Sequence, residues 1–168
     1  MQNNAHTDTS FIASLTDVRF SVLFLCMGNI CRSPTAHGVF RHKVHMSGLA
    51  QQVQVSSAGT HNYHPGEPPD RRQLTAQDFE QHDLLLAMDW DNLALAEQRC
   101  PPAHRRKLRR LTEFCRRHDA AVVPDPYYGG ESGFQQVLDL IEDACDGLLD
   151  QVSCQLIVPT AVTKGERE

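Results

Sequence analysis

The chain has 168 residues and a mass of 18.9 kDa, which suits one domain, because two separate cores at this length would each be marginal. Hydrophobic residues make up 40% and charged residues 22%, an ordinary globular composition that excludes wholesale disorder, and no apolar run reaches the length that spans a bilayer. Sixteen Lys and Arg against 21 Asp and Glu leave a net charge of −5, whereas nucleic-acid binders usually carry a basic excess.

Residues 1–19 are polar and poorly patterned and read as a flexible leader. They lack the basic-then-apolar order of a signal peptide, so the expected location is cytoplasmic with reduced thiols. Residues 21–26 form a short, almost wholly apolar run, the pattern of a strand buried on both faces of a parallel sheet. A turn over 27–32 follows. Ser33 then offers an N-cap, with Pro34 in the first turn of a helix. Ala36, Val39, Phe40 and Val44 share one face of that helix, and Gly48 is its stop. Residues 54–58 are a second strand, and 61–72 form a loop containing Pro, Gly and Asn.

Thr75 and Asp78 have the spacing of a capping box, which predicts a short helix carrying Phe79 inward. Residues 84–88 are a third apolar strand. Asp89 caps a helix over 90–98 that Pro101 and Pro102 end. Residues 107–114 supply a fourth strand, and 122–130 are a loop. Phe134, Val137, Leu138, Ile141, Cys145 and Leu148 mark an amphipathic terminal helix. Strands alternating with helices predict an α/β sandwich around a parallel sheet, with a domain over 20–150 and a tail over 151–168.

The six cysteines, Cys26, Cys31, Cys100, Cys115, Cys145 and Cys154, include no C-x-x-C pair, so the usual zinc spacing is absent. The histidines lack a carboxylate or thiol partner that would complete a metal site. Cys26 ends the first strand, and the segment from Cys26 to Ser33 runs directly into a helix. Ligands bind at the carboxyl ends of strands in open parallel sheets. A tight loop there aims N–H groups inward beside a helix N-terminus, which makes an anion cradle. Gly28 permits close backbone approach, and Asn29 tolerates the left-handed conformation. Arg32 adds a planar fork of donors suited to two phosphate oxygens.

The same field favours a thiolate at Cys26, so the loop that binds phosphate also prepares a nucleophile for phosphorus. Ser33 is placed to donate its hydroxyl to the sulfur. Cleaving a phosphate monoester also needs a proton for the leaving oxygen. Asp125, next to Pro126 and the aromatic pair Tyr127 and Tyr128, offers one, and Tyr127 can wall a slot for a phenyl ring. The basic run over 104–110 reads first as a solvated surface, with attraction of acidic phosphopeptides as its functional alternative.

The stretch from Val22 through Cys26, Met27, Gly28, Asn29, Ile30, Cys31, Arg32, Ser33 and Pro34 resembles the signature of low-molecular-weight protein-tyrosine phosphatases. The resemblance continues through Ser57 to Thr60, Pro68 to Asp70, Gln73 to Phe79, Met88 and Asp89 with Asn92, and Asp125 to Gly129. It implies a small doubly wound sandwich with a four-stranded parallel sheet flanked by helices. It also implies that Cys26 forms a phosphocysteine, that Arg32 holds the phosphoryl group, and that Asp125 is general acid and then base. By the same resemblance, Met27, Gly28, Asn29, Ile30, Cys31 and Ser33 form the phosphate-binding loop. Asn29, Ser33 and Ser57 fix the loop, Tyr63, Tyr127 and Tyr128 wall the substrate cleft, and Cys31 is the partner of a reversible disulfide. No metal or organic cofactor is implied. The expected partner is a phosphotyrosine-containing protein, with no nucleic acid and no membrane, and the chain itself is expected to be a monomer or weak dimer.

Ile30 differs from the Thr typical of phosphoarginine-specific relatives. The shuttle cysteines of arsenate reductases of this fold have no counterpart between Cys31 and Cys100. One departure is larger. A helix that the family carries between the second strand and the Gln73 segment is lacking, a loss on the order of 17 residues, or about four turns with connections. That loss is expected to expose apolar sheet surface and to loosen Ser57 and Asn29. It keeps a catalytically impaired phosphate-binding module as one alternative, and an arsenate reductase of the same fold is the other.

Overall fold

The run that ends at Cys26 is the centre of the sheet. The computed structural model describes residues 17–61, 72–126 and 129–157. In it, β1 (Phe20–Cys26) lies between β2 (Val53–Gly59) and β3 (Leu84–Ala87), and β4 (Leu108–Arg110) lies outside β3. All pairings are parallel. Val22, Phe24 and Cys26 turn toward α1 (Arg32–Met46) and α4 (Gly130–Ile157), where they join Phe40, Ile141 and Leu148 in one core. Leu23 and Leu25 turn the other way and join Phe79 of α2 (Ala76–Gln81) and Ala96 of α3 (Trp90–Arg99) in a second core. Both faces of β1 are thus covered, which is why its sequence shows no polar alternation.

The order β2-β1-β3-β4 is that of the expected doubly wound sandwich. It puts a topological switch point between β1 and β3, so the crevice where a ligand binds opens at the end of β1. Three boundaries differ from the sequence reading. The first helix opens at Arg32 with Cys31 as its N-cap, and no side chain caps it, because the Ser33 hydroxyl is engaged elsewhere. The fourth strand is three residues long and is flanked by 3₁₀ turns at Pro102–Lys107 and Leu111–Phe114. Glu113 ends it by reaching back to the Arg110 N–H at 2.8 Å, a local bond that competes with the ladder. The last helix runs on to Ile157, with Val152 and Leu156 buried in the core. The apolar spacing Leu148, Val152, Leu156 continues the inward stripe, so the packed unit extends beyond residue 150.

The connection from β2 to α2 is short. The returning chain lays Arg72 to Leu74 beside the end of β2: Gly59 donates to the Arg72 carbonyl at 2.8 Å, and Leu74 donates to the Gly59 carbonyl at 2.9 Å. Apolar sheet surface is not exposed there, contrary to expectation, since Leu23, Leu25 and Ala58 are fully buried. Leu74 and Phe79 cover them. The β2 residues that share this face with Ala58 are Gln54 and Ser56, which are polar. Ser56 meets Nε2 of the buried His82 at 2.8 Å, while Nδ1 of the same ring faces the Asp78 carbonyl at 3.0 Å. Burial holds the His82 imidazole below its ordinary range, only partly offset by the Asp78 carbonyl and carboxylate. The ring is therefore neutral, with its proton on Nδ1, and accepts from the Ser56 hydroxyl. Among the described residues no helix is long and apolar enough to cross a membrane.

The segment after the second 3₁₀ turn is tied to α4 by Asp143, which is fully buried. Its carboxylate accepts from the N–H groups of Arg117 and His118 at 2.9 Å and from His118 Nδ1 at 2.8 Å. Burial alone would push this carboxyl up; the bonds from the His118 ring and from three successive backbone N–H groups outweigh it and hold the group well below the usual carboxylate range. One turn later Gly147 passes so close to the Phe114 carbonyl that no Cβ fits. A folded pKa below the unfolded value contributes stability that is present above the unfolded value and is lost as pH falls through the folded one. Asp143→Asn is expected to cost about 2–3 kcal/mol at pH 7. Denaturation at pH 7 and at pH 3 checks this: the gap between variant and parent should shrink markedly at the lower pH.

Candidate active site

Cys26 ends β1 and is almost fully buried. The chain then wraps through Met27 to Cys31 before α1 begins. Asn29 takes the turn with φ of 52°, the left-handed conformation its short polar side chain tolerates. Gly59, at the end of β2, stands against this loop. A Cβ there would lie 3.1 Å from the Met27 carbonyl oxygen and 3.3 Å from the Asn29 nitrogen. None of the N–H groups from Gly28 to Ser33 donates to another described residue. They lie in the turn that leads into the N-terminus of α1, where donors without partners favour an anion. Ile30 points outward and is 60% exposed.

The Ser33 oxygen lies 2.9 Å from the Cys26 sulfur and 2.9 Å from Asn29 Oδ1. Its single proton can serve one of them. Beside a thiol, Ser33 donates to Asn29 and accepts from sulfur; beside a thiolate, it must donate to sulfur instead. Ser57 sits farther back, in register with Phe24 of β1. Its hydroxyl meets His37 Nδ1 of α1 at 3.3 Å, which braces β2 against α1. Burial, and then the nearby Arg41 cation, lower the His37 imidazole from its ordinary range, so it serves this bond as a neutral ring.

Arg32 is 5% exposed and its side chain is held by two elements. Its Nη1 donates to Asp89 Oδ2 at 2.6 Å and to the Val123 carbonyl at 3.0 Å. Its Nη2 lies 3.9 Å from Asp125 Oδ2. With both Nη1 hydrogens used, Nε and Nη2 remain as a fork for two oxygens of an anion. Asp125 stands at the same mouth, about half exposed. Cys31 is partly buried; burial pushes its thiol up, Asp125 and Cys26 push the same way, and Arg32 opposes them. The three tyrosines expected to wall the cleft, Tyr63, Tyr127 and Tyr128, lie outside the described residues. Among the described residues no group of three His, Cys, Asp or Glu side chains could hold a metal.

Two residues of this site were legible only in part. Asp89 caps α3 through Oδ1, which accepts from the Asn92 N–H at 2.7 Å, as its sequence position suggested. Its other oxygen aims Arg32, and no local pattern announces that. Asn92 is fully buried. With its amide nitrogen 3.0 and 3.2 Å from the Asp89 oxygens, its own oxygen accepts from the Met27 N–H at 3.2 Å. The start of α3 is thereby tied to the first residue of the loop. Most of the basic run lies far from this mouth. Pro102–Lys107 precedes β4 and therefore sits at the amino end of the sheet, and Lys107 gives its ammonium to the Phe79 carbonyl at 2.8 Å. The acidic-peptide alternative for the run as a whole has no support in that placement.

Asp89→Asn keeps a good N-cap but removes the charge that orients Arg32. It is expected to lower kcat/KM for an aryl phosphate by about 10- to 100-fold, the scale of a misplaced binding group, and, because it leaves the buried Arg32 cation without its carboxylate, to lower the thermal midpoint as well. Steady-state kinetics alongside a melting curve check both halves of the expectation.

The family model described as low molecular weight phosphotyrosine protein phosphatase matches the chain in two stretches, residues 21–76 and 71–157. The stretches overlap at the junction where the family helix is lacking. The low molecular weight protein-tyrosine-phosphatase of Streptomyces coelicolor is 39% identical over 160 residues, covering 82% of this chain and 96% of the relative. The protein of the same description from Bacillus subtilis, YfkJ, is 34% identical over 150 residues, covering 79% of this chain and 95% of the relative. Because 79% of 168 residues is about 133, about 17 of those 150 positions have no counterpart here, roughly the lost helix and its connections. A crystal structure of a protein tyrosine phosphatase from Entamoeba histolytica, with Hepes in its active site, matches with a TM-score of 0.76 at 35% identity, covering 82% of this chain and 99% of that one. On this footing, and with the strand, loop and helix around Cys26 folded as described, the chain belongs to the low molecular weight phosphotyrosine protein phosphatase family.

Proposed function

We propose that the protein hydrolyses phosphotyrosine in proteins through a phosphocysteine on Cys26. The observation that carries this reading is the sulfur of Cys26 at the mouth of unspent N–H groups, 2.9 Å from a hydroxyl that can donate to it. The cradle and the Arg32 fork take the three non-bridging phosphoryl oxygens. The Cys26 thiolate attacks phosphorus, the bond from phosphorus to the tyrosyl oxygen breaks, and Asp125 gives that oxygen its proton. Asp125, now a carboxylate, takes a proton from water as the water attacks phosphorus. The sulfur–phosphorus bond breaks, phosphate leaves and the thiolate is restored, with the Ser33 hydroxyl stabilising it. Each step uses groups of this chain and water alone.

The short connection after β2 does not argue for an inactive module. The sheet beneath it stays covered, and Arg32 retains its partners Asp89 and Val123. The choice of tyrosine rests on the relatives, which are named tyrosine phosphatases, and on the exposed apolar Ile30 at the loop.

Two variants test the assignment. Cys26→Ser should abolish turnover of aryl phosphates, and undiminished activity in that variant would sink the proposal. Asp125→Asn should slow phosphotyrosine by roughly 100-fold or more, the lower end of general-acid catalysis. Its effect on 4-nitrophenyl phosphate, whose leaving group needs little proton help, should be far smaller. Compared by kcat/KM, which reports only the steps through departure of the leaving oxygen, equal losses on the two substrates would reduce Asp125 to a turn residue.

A further inference from the structure

Arg110 is the last residue of β4, paired in register with Ala87. Unlike the residues of the preceding 3₁₀ turn, it stands at the carboxyl end of the sheet, the end that carries Cys26. Its guanidinium lies over the Trp90 ring, 3.8 Å from the centroid. Its Nη1 donates to the Ala121 carbonyl at 2.5 Å. The same carbonyl accepts from the Thr112 hydroxyl at 3.0 Å. Ala121 lies four residues before Asp125, on the loop that delivers it.

That loop has two anchors. Val123 is fully buried, donates to the Met88 carbonyl at 2.7 Å and accepts from Arg32. One anchored residue leaves the segment free to pivot about it. The doubly held Ala121 carbonyl supplies a second fixed point and so sets the direction in which the chain leaves Val123. Pro124 and Pro126 restrict the backbone around Asp125, so a direction set at residues 121–123 is carried to its carboxyl. Trp90 completes the link from the other side. It follows Asp89, the residue that aims Arg32, and its ring keeps the Arg110 fork flat against the start of α3. A planar guanidinium can stack on a ring and donate in its own plane at once.

We propose that Arg110, stacked on Trp90 and seconded by Thr112, is a positioning residue that holds Asp125 in line with Arg32 for proton transfer to the leaving group. The proposal rests on the reading of Asp125 as general acid. Arg110 touches no reacting atom in this scheme; it acts through the loop. A loop that leaves at the wrong angle should therefore hurt the substrate that needs the proton more than the one that does not.

The test measures kcat/KM, which reports the leaving-group step, for phosphotyrosine and for 4-nitrophenyl phosphate in Arg110→Ala and in Thr112→Val, each alone and combined with Asp125→Asn. Arg110→Ala should change the ratio of the two rates by about five- to tenfold against phosphotyrosine, a fraction of the full general-acid effect. Thr112→Val, which removes a single hydroxyl, should move the ratio the same way by a smaller factor and keeps the test alive should the arginine variant fold poorly. In the Asp125→Asn background neither change should alter the ratio further, because the group they position is gone. Equal losses on both substrates, or an unchanged ratio in both variants, overturn the proposal. So does a further change of ratio in the Asp125→Asn background. If Asp125→Asn itself leaves the ratio unmoved, the general-acid reading fails first and the positioning role falls with it. If Asp125→Asn shifts the ratio and the Arg110 and Thr112 variants do not, the positioning role alone is wrong.

Discussion

The site depends on where one buried cation is made to point. Arg32 opens α1 at the end of a loop whose N–H groups have no partner among the described residues, and its position on the helix alone would let its side chain swing. The Asp89 carboxylate prevents that. One of its oxygens caps α3 and so is fixed by the helix, while the other takes Nη1 of Arg32. The Val123 carbonyl takes the remaining Nη1 hydrogen. A partly buried ion pair of this kind contributes little net stability once desolvation is counted. Its value lies in direction: with Nη1 held, Nε and Nη2 are the two donors left over as a fork. The loop after Cys26, the start of the third helix and the loop of Asp125 meet at this one guanidinium.

The surroundings of that pair follow from the sheet order. Only at the switch point between β1 and β3 do neighbouring connections leave toward opposite faces. Cys26 ends β1 and Asp89 lies just after β3, so the two edges of the crevice carry the buried thiol and the carboxylate that holds Arg32. Asn92 joins those edges by reaching from α3 to the Met27 N–H. On the opposite side, Gly59 lets the loop lie directly on the end of β2.

The shortened connection after β2 shows how a fold tolerates the loss of a layer element. A sheet face stripped of a helix would normally present apolar side chains to water. Here the face of β2 beyond Ala58 is Ser56 and Gln54, and the neutral ring of His82 satisfies Ser56. Leu74 and Phe79 cover Leu23 and Leu25 of the neighbouring strand. The cost of the loss falls on the edge of the sheet, whose residues are already polar, while the central strand that positions Cys26 keeps both its cores.

The sequence by itself determined a good deal. The apolar run without alternation marked β1 as buried on both faces, and the capping box from Thr75 to Asp78 and the N-cap at Asp89 marked two helix starts. These signals are local, since strand burial, caps and turns are set by residues a few positions apart. The tight turn between Cys26 and Ser33, with Asn29 in the left-handed conformation, was legible for the same reason. Tertiary structure alone decided the rest. The extent of β4 depended on Glu113 folding back, and the length of α4 on a core built with β1, β2, β3, α1 and the second 3₁₀ turn. The second duty of Asp89, the bracing of Ser57 by His37 and the clamp on Ala121 each join residues at least nine positions apart. Such pairs arise only when strands order themselves, because a side chain's partner across the sheet is set by register and topology, and neither is written in the spacing of neighbours along the chain.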